Sequence, residues 1–150
     1  MARYDVPAML DFITKETGEN ELSYVGYSQG TTIGFAALAQ NPRLADKVKL
    51  FVALAPVGRV ANITSAVRLL LPLTSKPVPP QYDLSLVKTP VAIFRGGQDA
   101  LADAEDIRWL LPQLNVVRDV SVGYYNHMDF IAAPDAPDKI YRQLTELLLA

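Results

Sequence analysis

The sequence predicts a single α/β domain, residues 1–150, in which about four parallel strands are flanked by helices. Short apolar runs alternate with segments of helical periodicity along the chain. Two of the runs are continuously apolar, which is typical of strands buried on both faces of a parallel sheet. The 150 residues are 50% hydrophobic and 20% charged, a composition that supports one sizeable core.

The predicted elements follow in order from the N-terminus. Apolar residues recur at helical spacing from Tyr4 to Thr17, and Gly18 fits the position just after a helix. A short strand at 22–27 leads directly into a helix at 29–39, which ends before Pro42. Further strands are predicted at 48–57, 91–97 and 116–122, with helices beginning at Asp103 and spanning 135–149.

Residues 58–82 interrupt this alternation. They contain four prolines and a short stretch of helical character. We expect this segment to be an insertion over the carboxyl edge of the sheet. It also holds the triplet Asn62-Ile63-Thr64, which is a glycan acceptor in secreted proteins.

Composition and charge exclude several classes of function. The net charge is −2 and no long run has one sign, so we expect no nucleic-acid partner. The chain has no cysteine, so disulfides and thiolate metal sites are excluded. No apolar run approaches the roughly 18 residues of a spanning helix, and the first residues do not resemble a signal peptide.

The pentapeptide G-Y-S-Q-G, Gly26 to Gly30, matches the G-x-S-x-G nucleophile elbow. In such an elbow the serine occupies a strained turn between a strand and a helix. We expect side chains at Gly26 and Gly30 to collide with neighbouring elements, so that glycine is needed at both. The backbone N–H of Gln29 would stabilise an oxyanion near Ser28. An accidental match is the alternative, but the apolar strand and small-residue helix around the motif favour the elbow.

A serine hydroxyl needs a base, and the chain has one histidine, His127. It follows the last predicted strand and lies in a loop. The loops after the strands of a parallel α/β sheet meet at one edge, where ligands bind. We therefore expect His127 to lie near Ser28, although a lone histidine is more often structural.

A carboxylate should orient that histidine. Asp99 follows the strand at 91–97 and reaches the same predicted edge. Asp103 and Asp106 compete for the role, but Asp103 is more simply a helix N-cap and Asp106 lies inside that helix. Asp129 is too close in sequence to His127 to hold the ring from behind. Asp99 is the preferred candidate.

These motifs resemble those of the acid lipases, the gastric and lysosomal group of α/β hydrolases. The similar stretches are YVGYSQGTTIGFAAL, ALAPVGRV, PPQYDLSLVKTPVAIFRGGQDALADAEDIRWLLPQL and YNHMDFIAAPDAPDKIY. The resemblance implies a serine hydrolase with Ser28 as nucleophile, Asp99 as orienting acid and His127 as general base. It implies hydrolysis of triacylglycerols or sterol esters through an acyl-enzyme, with no metal or cofactor, in a secreted or lysosomal protein.

The chain also departs from the pattern of that family. Tyr27 stands where the family usually has histidine. The segment at 58–82 is far shorter than the family's helical cap. The family's upstream strands, including the loop with a second oxyanion N–H, have no match here. We therefore expect a partial α/β-hydrolase fold, truncated at the N-terminus, whose strand Leu22–Tyr27 becomes an edge open to self-association or to a missing N-terminal half.

Other functions stay open at this stage. The chain is also compatible with a catalytically impaired fragment, a lipid-binding module or one half of a split enzyme. A small-ester esterase or a thioesterase of the same fold is a further alternative.

Overall fold

The computed structural model describes residues 1–59 and 82–150. Its helices and strands, in chain order, are α1 (Asp5–Thr17), β1 (Leu22–Tyr27), α2 (Gln29–Gln40), β2 (Val48–Leu54), β3 (Val91–Gly96), α3 (Ala104–Leu110), β4 (Val116–Val122), α4 (Asp129–Ala132) and α5 (Arg142–Leu149). Apart from its ends, the predicted insertion at 58–82 lies outside the described residues. Asn62 also lies outside them, so the insertion and the glycan acceptor stay predictions.

The four strands form one sheet in the order β1-β2-β3-β4, and every neighbouring pair is parallel. The predicted α/β class is therefore confirmed. The two central strands carry the apolar runs, and Phe51, Val52 and Ile93 are fully buried. Because the strands are parallel, the loops after β1, β3 and β4 meet at one carboxyl edge. Within the described part of the chain, β1 is an edge strand, as predicted.

Small side chains let α2 lie close to β1 and β2. A Cβ atom at Gly34 would lie 2.7 Å from the ring of Phe51 and 2.8 Å from that of Tyr24. The Tyr24 hydroxyl donates to the Gly30 carbonyl, 2.9 Å away, which fixes the first turn of α2 over the sheet. The start of α2, where the predicted nucleophile lies, is thus held rigidly by the core.

Two elements differ from their predicted extents. Strand β2 ends at Leu54 instead of at residue 57, because Ala55 adopts a left-handed conformation with φ 45°. The predicted helix at 135–149 begins as a π-helical turn, Pro137–Tyr141, before it continues as α5. This change of winding begins at a proline, which has no N–H to donate.

Helix α3 begins where the sequence predicts. The Asp103 carboxylate accepts a 2.8 Å bond from the Glu105 N–H, so the predicted N-cap is confirmed. None of the helices in the described ranges has the length and apolar character to cross a membrane.

Candidate active site

Ser28 lies at the turn between β1 and α2 in a strained conformation. Its φ of 52° and ψ of −118° are rare for any residue other than glycine. The Ser28 N–H donates to the Leu54 carbonyl at 3.0 Å, so the serine continues the pairing with β2. The Thr31 N–H and hydroxyl donate to the Ser28 carbonyl at 2.9 and 2.6 Å. These bonds hold the turn against its strain.

The two glycines that flank Ser28 do not have the same role. A Cβ atom at Gly26 would lie 2.9 Å from the Gly30 carbonyl carbon and 3.0 Å from the Thr31 nitrogen. Among the described residues, and apart from the backbone of α2 itself, a Cβ atom at Gly30 would meet no atom within 4 Å. The predicted collision is therefore right for Gly26 and, among the described residues, wrong for Gly30, because a Cβ atom there would enter open space.

Three side chains that are far apart in sequence form one hydrogen-bonded series at the carboxyl edge of the sheet. His127 Nε2 lies 2.6 Å from Ser28 Oγ. On the other side of the ring, His127 Nδ1 lies 2.8 Å from Asp99 Oδ2 and 3.1 Å from Asp99 Oδ1. The structure thus brings together Ser28, His127 and Asp99, the three candidates that the sequence singles out.

The two contacts of the imidazole determine its tautomer. An ionised carboxylate only accepts hydrogen bonds, so the Nδ1 atom of His127 must donate to Asp99. In the neutral ring Nε2 is then unprotonated and accepts from the Ser28 hydroxyl. This is the arrangement in which a histidine can remove a proton from a serine.

The Asp99 carboxylate is buried and well supplied with donors. It is 5% exposed, and Oδ1 accepts from the N–H groups of Leu101 at 2.9 Å and Ala102 at 2.8 Å. Burial opposes its charge, but the hydrogen bonds from His127, Ala102 and Leu101 outweigh burial and hold the pKa of Asp99 below its usual value. Asp99 is therefore ionised at neutral pH and able to orient the imidazolium.

The competing carboxylates have other partners. The Asp106 carboxylate accepts a 2.7 Å bond from Arg59 Nε, and the Arg59 guanidinium lies over the ring of Trp109. The Asp129 carboxylate accepts from the Asn126 N–H at 2.7 Å and so shapes the loop next to the histidine. Neither carboxylate contacts the imidazole.

Gln29 is the first residue of α2 and follows Ser28 at the positive end of the helix dipole. Among the described residues, its N–H has no hydrogen-bond acceptor. An unpaired N–H at this position is suited to an oxyanion on a carbon bonded to Ser28 Oγ.

Two glycines, Gly96 at the end of β3 and Gly97 directly after it, allow the carboxylate and histidine loops to touch. A Cβ atom at Gly96 would lie 2.4 Å from the Tyr125 carbonyl oxygen, and one at Gly97 the same distance from the Gly123 carbonyl oxygen. Any side chain there would push apart the loop of Asp99 and the histidine loop, residues 123–128. The available signal was a double glycine at the end of a predicted strand, separated from the candidate acid Asp99 by one residue.

Tyr27 also contacts the site. The sequence did not predict this contact. Its hydroxyl donates to the His127 carbonyl at 2.8 Å, and its ring centroid lies 5.2 Å from that of the imidazole. The contact joins residues 100 positions apart, and no local pattern indicates it. In the described ranges, no group of three or more His, Cys, Asp or Glu side chains is placed to hold a metal ion.

Sequence comparison confirms the resemblance to acid lipases. The chain is 28% identical to human gastric triacylglycerol lipase and 27% identical to human lysosomal acid lipase/cholesteryl ester hydrolase, in each case over 99% of its length. The chain spans 63% and 62% of these two proteins. The match to the gastric lipase extends over 249 residues, so about 100 of them have no counterpart in this chain of 150. No family model matches the chain.

Comparison with solved structures confirms the fold. An esterase of Pyrococcus furiosus superposes with a TM-score of 0.71 at 14% identity, over 97% of this chain and 60% of that protein. The monoacylglycerol lipase of Paleococcus ferrophilus superposes with a TM-score of 0.62 at 18% identity, over 95% of this chain and 73% of that protein. The described elements therefore belong to the α/β-hydrolase fold.

Proposed function

We propose that this chain is a serine hydrolase that cleaves carboxylic esters of lipids through an acyl-enzyme. The observation that carries the proposal is the unbroken series from Ser28 through His127 to Asp99, with contacts of 2.6 and 2.8 Å. The lipase names of its relatives support the ester substrate. One relative is named as a triacylglycerol lipase and the other as a cholesteryl ester hydrolase.

The first half of the reaction forms the acyl-enzyme. Ser28 Oγ attacks the ester carbonyl carbon while its proton passes to His127 Nε2, and the carbonyl π electrons move onto the oxygen. The Gln29 N–H donates to that oxyanion, a contact worth roughly 10²–10³ in turnover. When the oxyanion collapses, the bond to the alcohol oxygen breaks. The imidazolium returns its proton to that oxygen and the alcohol leaves.

The second half releases the acid. His127 Nε2 takes a proton from a water molecule, whose oxygen attacks the acyl carbon. The new oxyanion collapses, the bond to Ser28 Oγ breaks, and the imidazolium protonates the serine. Through both halves, Asp99 holds the Nδ1–H and stabilises the positive ring without taking its proton.

A pair of serine variants tests the proposal. We expect Ser28→Ala to lower hydrolysis of p-nitrophenyl butyrate by at least about 10³-fold. Ser23→Ala is the matched control, because the buried Ser23 hydroxyl, on the strand that precedes Ser28, has no hydrogen-bond partner among the described residues. Removing an unpaired hydroxyl costs little. Equal rates for wild type and Ser28→Ala would refute the mechanism. A folded wild type without turnover would favour the lipid-binding module or impaired fragment.

The length of the acyl group is a separate question. About 100 residues of the gastric lipase have no counterpart within the matched stretch, so its acyl preference does not carry over to this chain. A series of p-nitrophenyl esters from acetate to palmitate tests this. A maximum at eight carbons or more supports the lipase, whereas a maximum at acetate or butyrate supports the small-ester esterase. Faster cleavage of matched thioesters would identify a thioesterase.

The relatives bear on the cellular location of the chain, and the sheet edge bears on its partners. The relatives are named for the stomach and the lysosome, which supports a secreted or lysosomal location. Within the described residues β1 is an edge strand, which supports pairing with a strand of a second copy.

A further inference from the structure

We propose that Tyr27 is a positioning residue that holds the His127 imidazole in line between Ser28 and Asp99. This inference rests on the proposed function, because it gives Tyr27 a part in the same reaction.

The hydroxyl of Tyr27 connects the histidine loop to the strand that carries the serine. It donates to the His127 carbonyl at 2.8 Å and lies 3.6 Å from the sulfur of Met128. Tyr27 is the last residue of β1, and the next residue is Ser28. One hydrogen bond therefore fixes the backbone of the base relative to the nucleophile.

The histidine loop is fixed from the other side as well. The Gln98 N–H donates to the Tyr125 carbonyl at 2.9 Å and ties the loop to the segment that carries Asp99. The loop is also bonded to Val122 at the end of β4, to the Asp135 carboxylate beyond α4, and to the start of α4 itself. Tyr27 thus supplies the connection toward Ser28, and Gln98 the connection toward Asp99.

The ring of Tyr27 adds a second constraint. Its centroid lies 5.2 Å from that of the imidazole at an interplanar angle of 34°, an offset arrangement typical of aromatic pairs. His127 is only 8% exposed, and the phenol ring is one of the groups that pack against its imidazole. The ring and the hydroxyl of Tyr27 therefore both restrain His127.

The donor is present over a wide pH range. Burial raises the pKa of Tyr27, and the negative charge of Asp99 raises it further. The hydroxyl therefore keeps its proton wherever a serine hydrolase of this kind would work, and the bond to the His127 carbonyl persists.

The test compares two tyrosine-to-phenylalanine variants in the intact chain. Tyr27→Phe removes the hydroxyl bond to His127. Tyr141→Phe is the matched control, because its hydroxyl also donates to a backbone carbonyl, that of Phe130, at 2.7 Å. We expect Tyr27→Phe to slow phosphonylation of Ser28 by a fluorophosphonate about 3–10-fold, and to lower kcat with KM unchanged. Tyr141→Phe should stay within about twofold of wild type.

Proton NMR supplies a readout that needs no turnover. The chain has one histidine, so a downfield Nδ1–H resonance belongs to His127 without ambiguity. We expect this resonance to be sharp in wild type and Tyr141→Phe, and to broaden or exchange away in Tyr27→Phe. Tyr27→Leu, which also removes the ring, should have the larger effect.

The outcomes separate the two proposals. An unchanged resonance and unchanged labelling in Tyr27→Phe would overturn the role of Tyr27, whatever the activity of wild type. Equal losses in Tyr27→Phe and Tyr141→Phe would also overturn it, since they would indicate a general effect on the fold. Absence of labelling in folded wild type would instead count against the proposed function, while the resonance still tests the contact.

Discussion

The two glycines of the elbow should respond in opposite ways to the same substitution. A Cβ atom at Gly26 would lie 2.9 Å from the carbonyl carbon and 3.0 Å from the carbonyl oxygen of Gly30. Those are backbone atoms, so no side-chain rotation relieves the contact. At Gly30 itself, a Cβ atom meets nothing within 4 Å in the described part of the chain.

The structure sets the size of each effect. Ordinary contacts of a Cβ atom lie at 3.4–4 Å, so in Gly26→Ala the start of α2 must move away from β1 by roughly 0.4–1 Å. Overpacking of this kind costs about 1–3 kcal/mol, which for a chain of this length lowers Tm by about 2–12 °C. Gly30→Ala instead replaces glycine inside a helix and should raise Tm by about 1–4 °C.

Thermal unfolding followed by circular dichroism measures both variants under identical conditions. Because the two substitutions add the same methyl group four residues apart, each is the control for the other. We expect initial rates of ester hydrolysis to fall at least about tenfold in Gly26→Ala, since the shift displaces Ser28 and the Gln29 N–H from the imidazole. If Gly26→Ala is as stable as Gly30→Ala, the result would contradict the close approach of α2 to β1 at Gly26.

Three further predictions concern the acid and the sheet edge. Asp99→Asn should lower kcat by about 10³–10⁴-fold, because an amide N–H facing Nδ1 favours the wrong tautomer; a loss below tenfold would contradict the role of the carboxylate. Since the folded-state pKa of Asp99 is lowered, its contribution to stability is complete above the unfolded-state pKa of about 4 and is lost as the pH falls through the folded-state pKa. The difference in Tm between wild type and Asp99→Asn should therefore narrow on acidification from about pH 6 to pH 3, and a widening difference would reverse the sign of this argument. Val25 is 45% exposed on the edge strand β1, and Val25→Lys should suppress association seen by analytical ultracentrifugation. Val117 is 54% exposed on the opposite edge strand β4, and Val117→Lys should leave association unchanged if it runs through β1. A wild type that is monomeric at all concentrations would refute self-association.

The sequence predicts those parts of the site that depend on local pattern and on parallel topology. The strained turn at Ser28 follows from its motif and flanking elements. The proximity of Asp99 and His127 follows because the loops after parallel strands meet at one edge. Neither inference needs the packing of any side chain.

The sequence does not predict features that depend on three-dimensional packing. The direction of the missing Cβ atom at Gly30 depends on how α2 leaves the sheet, and the motif alone does not give it. The bond from Tyr27 to His127 spans 100 positions. The early end of β2 rests on a positive φ at Ala55, and alanine carries no signal for that conformation.

Covalent labelling of the intact chain with a fluorophosphonate, mapped by peptide mass spectrometry, tests the central claim most directly. A serine that loses its proton to a neighbouring imidazole reacts with this electrophile, whereas ordinary serines do not. We predict a single modified residue, Ser28, and loss of the modification in His127→Ala. Folded wild type that remains unmodified at Ser28, or equal modification of Ser28 in His127→Ala, would contradict the account.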